Sequence, residues 1–342
     1  MKVTVKKRSF QFVRPSGTSR GILTEKTSWL IVLEESTKRG IGECSLLPGL
    51  SPDDRPEFES TLMRVSNALL NGNPLPDLTS WPAIEMGVEM AIRSLKSSDA
   101  YTLFPSHFTA GKAKIPINGL VWMGNFDYMK SQIDGLLEAG YNCIKLKIGA
   151  LDFQTELQLL KYIRNRYNAE TIQIRVDANG AFSPQEALNK LNHLCDFDLH
   201  SIEQPIAPGQ WETMAELCHK SSLPIALDEE LIGINSTNNK IKLLSTIKPH
   251  YLILKPSLLG GFSASEEWIK CAESQKIGWW VTSALESNLG LNAIAQWTYT
   301  LGITKPQGLG TGSLYTNNIE GPLYIDKGCL GLSKSIPWQK EF

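Results

Sequence analysis

The chain has 342 residues, 42% of them hydrophobic, and a formal net charge of −1. That is ample apolar material for a large core and more length than one ordinary domain uses. A near-neutral charge excludes a broad basic field for nucleic acid or anionic membrane, and no run of about 18 apolar residues is present to span a bilayer.

The first residues, MKVTVKKRSFQFVRP, alternate apolar and polar side chains and lack the apolar stretch of a secretory signal. Val3–Val13 and Trp29–Leu33 are predicted strands, with a Gly/Ser-containing loop, Pro15–Gly21, between them. Gly40–Asp54 is turn-rich. Helices are predicted over Pro56–Leu70, with Phe58, Leu62, Val65 and Leu69 on one face, and over Trp81–Leu95, with Ile84, Val88, Ala91, Ile92 and Leu95 on one face. Strands followed by helices predict a small α+β domain over residues 1–110.

From about residue 115 strands and helices alternate. The predicted strands are Ile115–Leu120, Cys143–Lys147, Ile172–Asp177, Leu199–Glu203, Pro224–Leu227, Tyr251–Lys255, Trp279–Thr282 and Gln307–Leu309. Eight strands with intervening helices predict an α/β fold of TIM-like (β/α)7β barrel type over residues 111–312. Residues 313–342 break the alternation and are expected to return to the N-terminal domain. Six scattered cysteines without CxxC spacing predict reduced thiols and a cytoplasmic protein.

Three acids punctuate the alternation: Asp177 in IRVDANG, Glu203 in SIEQPI and Asp228 in IALDEEL, spaced 26 and 25 residues apart. One strand–helix unit takes about that length. Each acid ends an apolar run, so the three are expected at the C-terminal ends of successive parallel strands. Taken alone, an Asp at a strand end caps the next helix. Three in register repel one another unless a cation lies between them, and all-oxygen ligation suits Mg2+, with Mn2+ the alternative.

Lys145 and Lys147 lie two apart in CIKLK and therefore share one strand face. Ile144, Leu146 and Ile148 alternate with them, so local pattern alone turns the lysines outward. A strand of a parallel barrel is covered on both faces, which lets the aliphatics pack beneath helices and the lysines point inward to the acids. Lys255 ends the apolar strand YLILK and is expected across the barrel mouth from Lys147. A metal on a substrate carboxylate, with lysine on either flank, is the equipment for removing a proton α to that carboxylate.

KLK, Asp177, Glu203, Asp228 and Lys255 on consecutive strands resemble the muconate-lactonizing-enzyme subgroup of the enolase superfamily. LKPSLLGG, TSALESNLGLNAIAQW and QGLGTGSLYTNN narrow the resemblance to its o-succinylbenzoate synthase family. The resemblance implies an N-terminal capping domain, with GIGECSLLPGLS as one capping segment and Pro15–Gly21 as a loop closing over the site. It implies a Mg2+-dependent syn dehydration of 2-succinyl-6-hydroxy-2,4-cyclohexadiene-1-carboxylate to o-succinylbenzoate in menaquinone biosynthesis. Lys147 would be the base, Lys255 an electrostatic partner on the opposite face, and Lys145 an aid to Lys147; Asp177, Glu203 and Asp228 would ligate the metal. Arg175, Asn179 and Glu229 would support them, and Ser283, Ser287 and Gly310 are expected to line the succinyl pocket. The expected partner is a small-molecule carboxylate, with no nucleic acid or membrane. N-acylamino acid racemase and dipeptide epimerase are the rival activities of the subgroup. The segment GLGTGSLY lacks the acid pair common in dipeptide epimerases. A non-catalytic metal-binding scaffold is the rival outside enzymes.

Overall fold

In the computed structural model, which describes residues 1–18 and 21–339, the first strands pair as their alternation predicts. Strands β1 (Lys2–Thr18), β2 (Gly21–Glu35) and β3 (Lys38–Ser45) form an antiparallel sheet in that order. Its buried face carries Ile31, Leu33 and Cys44 onto helices α1 (Phe58–Asn71) and α2 (Pro82–Lys96). Phe58, Leu62, Val65, Leu69, Ile84, Val88 and Ala91 belong to the same apolar cluster, as helical spacing dictates. Sheet and α2 meet backbone to backbone: a Cβ at Gly42 would lie 1.9 Å from the Gly87 carbonyl oxygen. Trp81 cannot cap α2, so Asp53 accepts the Ala83 and Ile84 amides at 3.0 and 3.2 Å instead. Burial pushes the Asp53 carboxyl up to about 6 even against those bonds.

The alternation follows: β4 (Ile115–Pro116), β5 (Gly119–Val121), α3 (Phe126–Glu138), β6 (Cys143–Lys147), α4 (Phe153–Arg164), β7 (Gln173–Asp177), α5 (Pro184–Cys195), β8 (Ser201–Glu203) and α6 (Trp211–Lys220). Then come β9 (Ile225–Leu227), a single 3-10 turn at Glu229–Leu231, α7 (Thr237–Ile247), β10 (Tyr251–Leu254), α8 (Pro256–Leu259), α9 (Gly261–Ser274), β11 (Gly278–Val281) and α10 (Asn288–Thr300). Strands β5 to β11 form one seven-stranded parallel sheet in chain order. Ile144, Leu146 and Ile148 are buried in one cluster with Met129 and Ile133 of α3 and Leu159, Leu160 and Ile163 of α4. The aliphatics of β6 thus face helices, which leaves its lysines on the interior face.

Two predicted strands are realised differently. Ile115–Leu120 divides: β4 leaves the parallel sheet to pair with the hairpin β12 (Leu323–Asp326) and β13 (Cys329–Leu332), and only β5 joins the seven. Gln307–Leu309 forms no regular strand, but Gln307 and Gly308 bond to both edges of the sheet. Asn118 N donates to Gln307 O at 2.9 Å and Gly308 N to Val281 O at 2.8 Å. Pro306 brings no amide hydrogen, and the Gln307 side-chain oxygen, not a main-chain carbonyl, takes the Val281 amide at 2.8 Å.

Farther on, residues 314–317 run along β1. Val13 N donates to Leu314 O and Thr316 N to Gln11 O, at 2.8 and 2.9 Å, within the stretch where β1–β2 pairing shifts register. The β12–β13 hairpin does not continue that contact, since its partner is β4. Of the expected loop Pro15–Gly21, Ser19 and Arg20 lie outside the described residues; β1 and β2 extend to Thr18 and from Gly21 on either side. Among the described residues no helix is long and apolar enough to cross a membrane.

Candidate active site at the strand C-termini

Parallel register sets the site. Lys147 of β6 is level with Asp177 of β7, which is level with Glu203 of β8. Asp228 follows β9 and Lys255 follows β10, so all the charged ends fall along one edge of the sheet. Lys145 Nζ lies 2.8 Å from Asp177 Oδ2 and 2.5 Å from Glu203 Oε2. Lys147 Nζ lies 2.7 Å from Asp177 Oδ2 and donates to Asn179 Oδ1 at 2.6 Å. Lys255 is paired with Asp228. Asn179 also donates through Nδ2 to Glu229 Oε1 at 2.9 Å, tying the β7 loop to the β9 loop. The side chains of Lys147 and Lys255 are each only 13% exposed, so neither amine points into bulk solvent.

Electrostatics follow from burial and charge order. Burial works against the Lys145 ammonium, yet Asp177, Glu203 and Asp228 together hold its pKa well above the ordinary lysine value. Burial likewise works against the Lys255 charge, and Asp228, Glu203 and Glu229 overcome it, so Lys255 is held above its ordinary value. Burial opposes ionisation of Asp177, but Lys145, Lys147 and Lys255 pull it far below the usual carboxylate range. Glu203 goes the other way: burial first, then the Asp177 charge, push it up to about 8 against Lys145.

Among the described residues, no three histidine, cysteine, aspartate or glutamate side chains are gathered tightly enough to hold a metal ion as they stand. The expected three-acid cluster is therefore opened. The reason is visible in the ion pairs: each acid is turned to a lysine, and the Lys145 ammonium occupies the space between Asp177 and Glu203. The donor set still suits a hard divalent cation. Asp177 and Glu203 already share one cation, and the buried Glu203 Oε1 has no hydrogen-bond partner among the described residues.

The edge opens into a cavity of about 600 Å3 lined by Lys145, Lys147, Asn179, Lys255, Ser283 and Gly310, among others. Leu47–Leu50 of the N-terminal region and Gly21–Leu23 at the start of β2 close it from the other side. One sequence expectation is corrected. Ser287 does not line the cavity: its hydroxyl donates to Glu43 at 2.5 Å and accepts the Leu289 amide at the start of α10. Arg175 shares the interior face of β7 but lies one layer below the acids, donating to Pro306 O at 3.0 Å and stacking over Trp280. Glu229 sits beside Asn179, as its position after Asp228 implies.

Sequence reasoning missed three residues. Asn118 and Thr311 line the cavity, and the buried Asn118 Oδ1 has no partner among the described residues. Glu286 is buried behind Ser283. Its signal was the acid within SALES, flanked by both serines that were chosen. Asn179, Gln204 and Leu285 hold left-handed φ values of 45°, 40° and 60°. Such backbone is costly for Gln and Leu and persists only where surroundings dictate it.

Residues 128–335 match the family model for enolase C-terminal domain-like proteins. An o-succinylbenzoate synthase of Desulfotalea psychrophila is 46% identical over 97% of this chain and 99% of its own. The crystal structure of MenC from Desulfotalea psychrophila LSv54 aligns with a TM-score of 0.87 at 42% identity, covering 97% of this chain and 99% of that one. An N-succinylamino acid racemase of Thermus thermophilus is 33% identical over 52% of this chain and 46% of its own.

Proposed function

The chain belongs to the enolase superfamily, and on that premise we propose that it is an o-succinylbenzoate synthase. The reaction is the loss of water from 2-succinyl-6-hydroxy-2,4-cyclohexadiene-1-carboxylate to give o-succinylbenzoate, a step of menaquinone biosynthesis. The observation that carries the reading is the pair of inward lysines, Lys147 and Lys255, anchored to separate acids and lining one cavity.

Lys147, in its neutral amine form, takes the proton from the ring carbon that bears the carboxylate and becomes an ammonium. It then delivers a proton to the departing C6 hydroxyl on the same face, so one side chain serves as base and acid and water leaves. Asn179 and Asp177 fix its amine at 2.6 and 2.7 Å. Lys255 stays charged and faces the developing negative charge from the other side. Similarity favours the synthase over a two-base racemase: 46% identity over 97% of the chain to an o-succinylbenzoate synthase, against 33% over 52% to an N-succinylamino acid racemase.

Superfamily members use Mg2+. Here Asp177, Glu203 and Asp228 would hold it, and it would supply positive charge to the substrate carboxylate. For one cation to take all three acids, the lysine ammoniums must give up carboxylate oxygens. Lys145 then remains as a buried cation beside the substrate carboxylate. The substrate is a small dicarboxylate, in keeping with a cavity of about 600 Å3 that three lysines line.

Seven parallel strands plus Gln307 and Gly308 read as a (β/α)7β barrel; the hydrogen bonds of those two residues to both sheet edges support closure. Residues 1–110 then act as the capping domain, 111–312 as the catalytic barrel and 313–342 as the return segment. Six unpaired cysteines suit the reducing cytoplasm, where we place the enzyme. The test is turnover: purified protein with Mg2+ converts the cyclohexadiene acid to the aromatic product, followed by absorbance, and EDTA abolishes it. Folded, Mg2+-supplied protein that leaves the substrate unchanged refutes the reading.

A further inference from the structure

We propose that Glu286 is a positioning residue that sets the cavity wall after β11 through Ser283; the inference rests on the synthase reading and deepens it. Glu286 is 1% exposed and spends both oxygens on serines, one from α8 and one from the loop after β11. Oε1 accepts from Ser257 Oγ, just after β10, at 2.6 Å, and Oε2 accepts from Ser283 Oγ at 2.6 Å. Ser283 Oγ in turn accepts from Thr311 Oγ1 at 2.8 Å and from the Leu285 amide at 3.1 Å.

Proton counting fixes the direction of this chain. Glu286 accepts from both serines, so the single Ser283 proton points to Glu286. Thr311 must then give its own proton to Ser283. Both hydroxyls line the cavity, yet neither has a hydrogen left for a bound molecule. They hold the wall in place, and Thr311 shows the cavity only lone pairs. The same bonds hold the left-handed Leu285, whose carbonyl also accepts from Tyr315 Oη at 2.6 Å.

A second buried acid secures the other side of the loop. Glu43 of β3 accepts the Ser287 amide at 3.0 Å and the Gly290 amide at 3.0 Å. It is held in turn by Ser28 Oγ at 2.8 Å. Both acids crowd the first turn of α10: a Cβ at Gly290 would lie 2.7 Å from Glu286 Cβ and 2.9 Å from Glu43 Oε2. The wall is thus clamped between an acid of its own loop and an acid of the N-terminal sheet.

Glu286→Gln places an amide donor where only an acceptor fits and breaks the proton order. We expect KM for the cyclohexadiene acid to rise about tenfold with kcat within about threefold of wild type. Because Glu286 acts through Ser283, the double variant Glu286→Gln, Ser283→Ala should be no worse than Ser283→Ala alone. Thr311→Val, which removes the incoming donor with little change in volume, should raise KM in the same direction and carries the test if Glu286→Gln does not fold. Multiplying effects in the double variant, a fall in kcat at unchanged KM, or an unchanged KM in Thr311→Val would overturn the proposal. Wild-type turnover in the same assay separates this from the synthase reading: an inactive wild type refutes that reading, whereas an active wild type with indifferent variants refutes only this one.

Discussion

Replacing Asp177 by Asn tests whether the acids and lysines depend on each other before any metal binds. Asp177 is fully buried and one of its oxygens serves two ammoniums, Lys145 at 2.8 Å and Lys147 at 2.7 Å. The gross attraction of each pair is about 6 kcal/mol at an effective dielectric of about 20. Most of that only offsets desolvation, and deleting one partner of a buried pair costs about 3–5 kcal/mol, because a buried charge is stranded. In a 342-residue chain the unfolding entropy is about 0.7 kcal/mol/K, so the melting midpoint should fall by about 4–7 °C. The assay is thermal and urea unfolding in EDTA at pH 7. The sign in pH is fixed as well. The folded-state proton affinity of Asp177 lies below its unfolded one, so its contribution is present above about pH 4 and is lost as pH falls further. The gap between wild type and variant should hold from pH 8 to about 5 and narrow only in acid. A D177N protein as stable as wild type in EDTA at pH 7 would refute the reasoning.

Lys147→Ala should lose at least about 10²–10⁴-fold in kcat, the span typical of an acid–base group, and near-normal turnover removes Lys147 from the chemistry. Gly42→Ala puts a methyl against the immovable Gly87 carbonyl; we expect a loss of about 3 kcal/mol in urea unfolding, and wild-type stability would mean that β3 and α2 can part. His200 is pushed down to about 4 by burial, then by Arg175 and Lys305. Its depressed value means that the unfolded chain binds the proton first, so stability is full above about pH 6.5 and declines toward pH 4. With the ring partly exposed, the decline attributable to it is about 2 kcal/mol, measured as the difference in pH slope between wild type and His200→Phe; identical slopes would contradict it.

Much of the fold could be read from residue order because the helices and strands carry strong periodicity and the acids recur at one strand–helix spacing. The inward turn of Lys145 and Lys147 could not be read from their own strand, where the alternation with Ile144, Leu146 and Ile148 by itself turns the lysines outward; coverage by α3 and α4 decides it. The eighth strand was the weakest signal for a physical reason: a proline, a side chain acting as backbone and a glycine replace a regular ladder. Ser287 was misplaced because a serine before a helix reads equally as pocket wall or cap, and Glu43, 244 residues away, decides between them. The opened acid cluster was beyond sequence altogether: spacing places three carboxylates along one edge but does not say that ammoniums will claim them.

The contact of residues 314–317 with β1 gives this protein a timetable. The middle of the first strand finds partners some 300 residues later in the chain, Gln11 with Thr316 and Val13 with Leu314. During synthesis, at roughly 5–20 residues per second, that stretch waits with backbone groups unpaired for about 15 seconds or more. Loop closure over such a span is slow, so this edge of β1 is expected to be the last part of the N-terminal sheet to be covered, although β1, β2 and β3 pair locally. A ribosome that stalls before residue 316 leaves an open strand exposed to any passing edge.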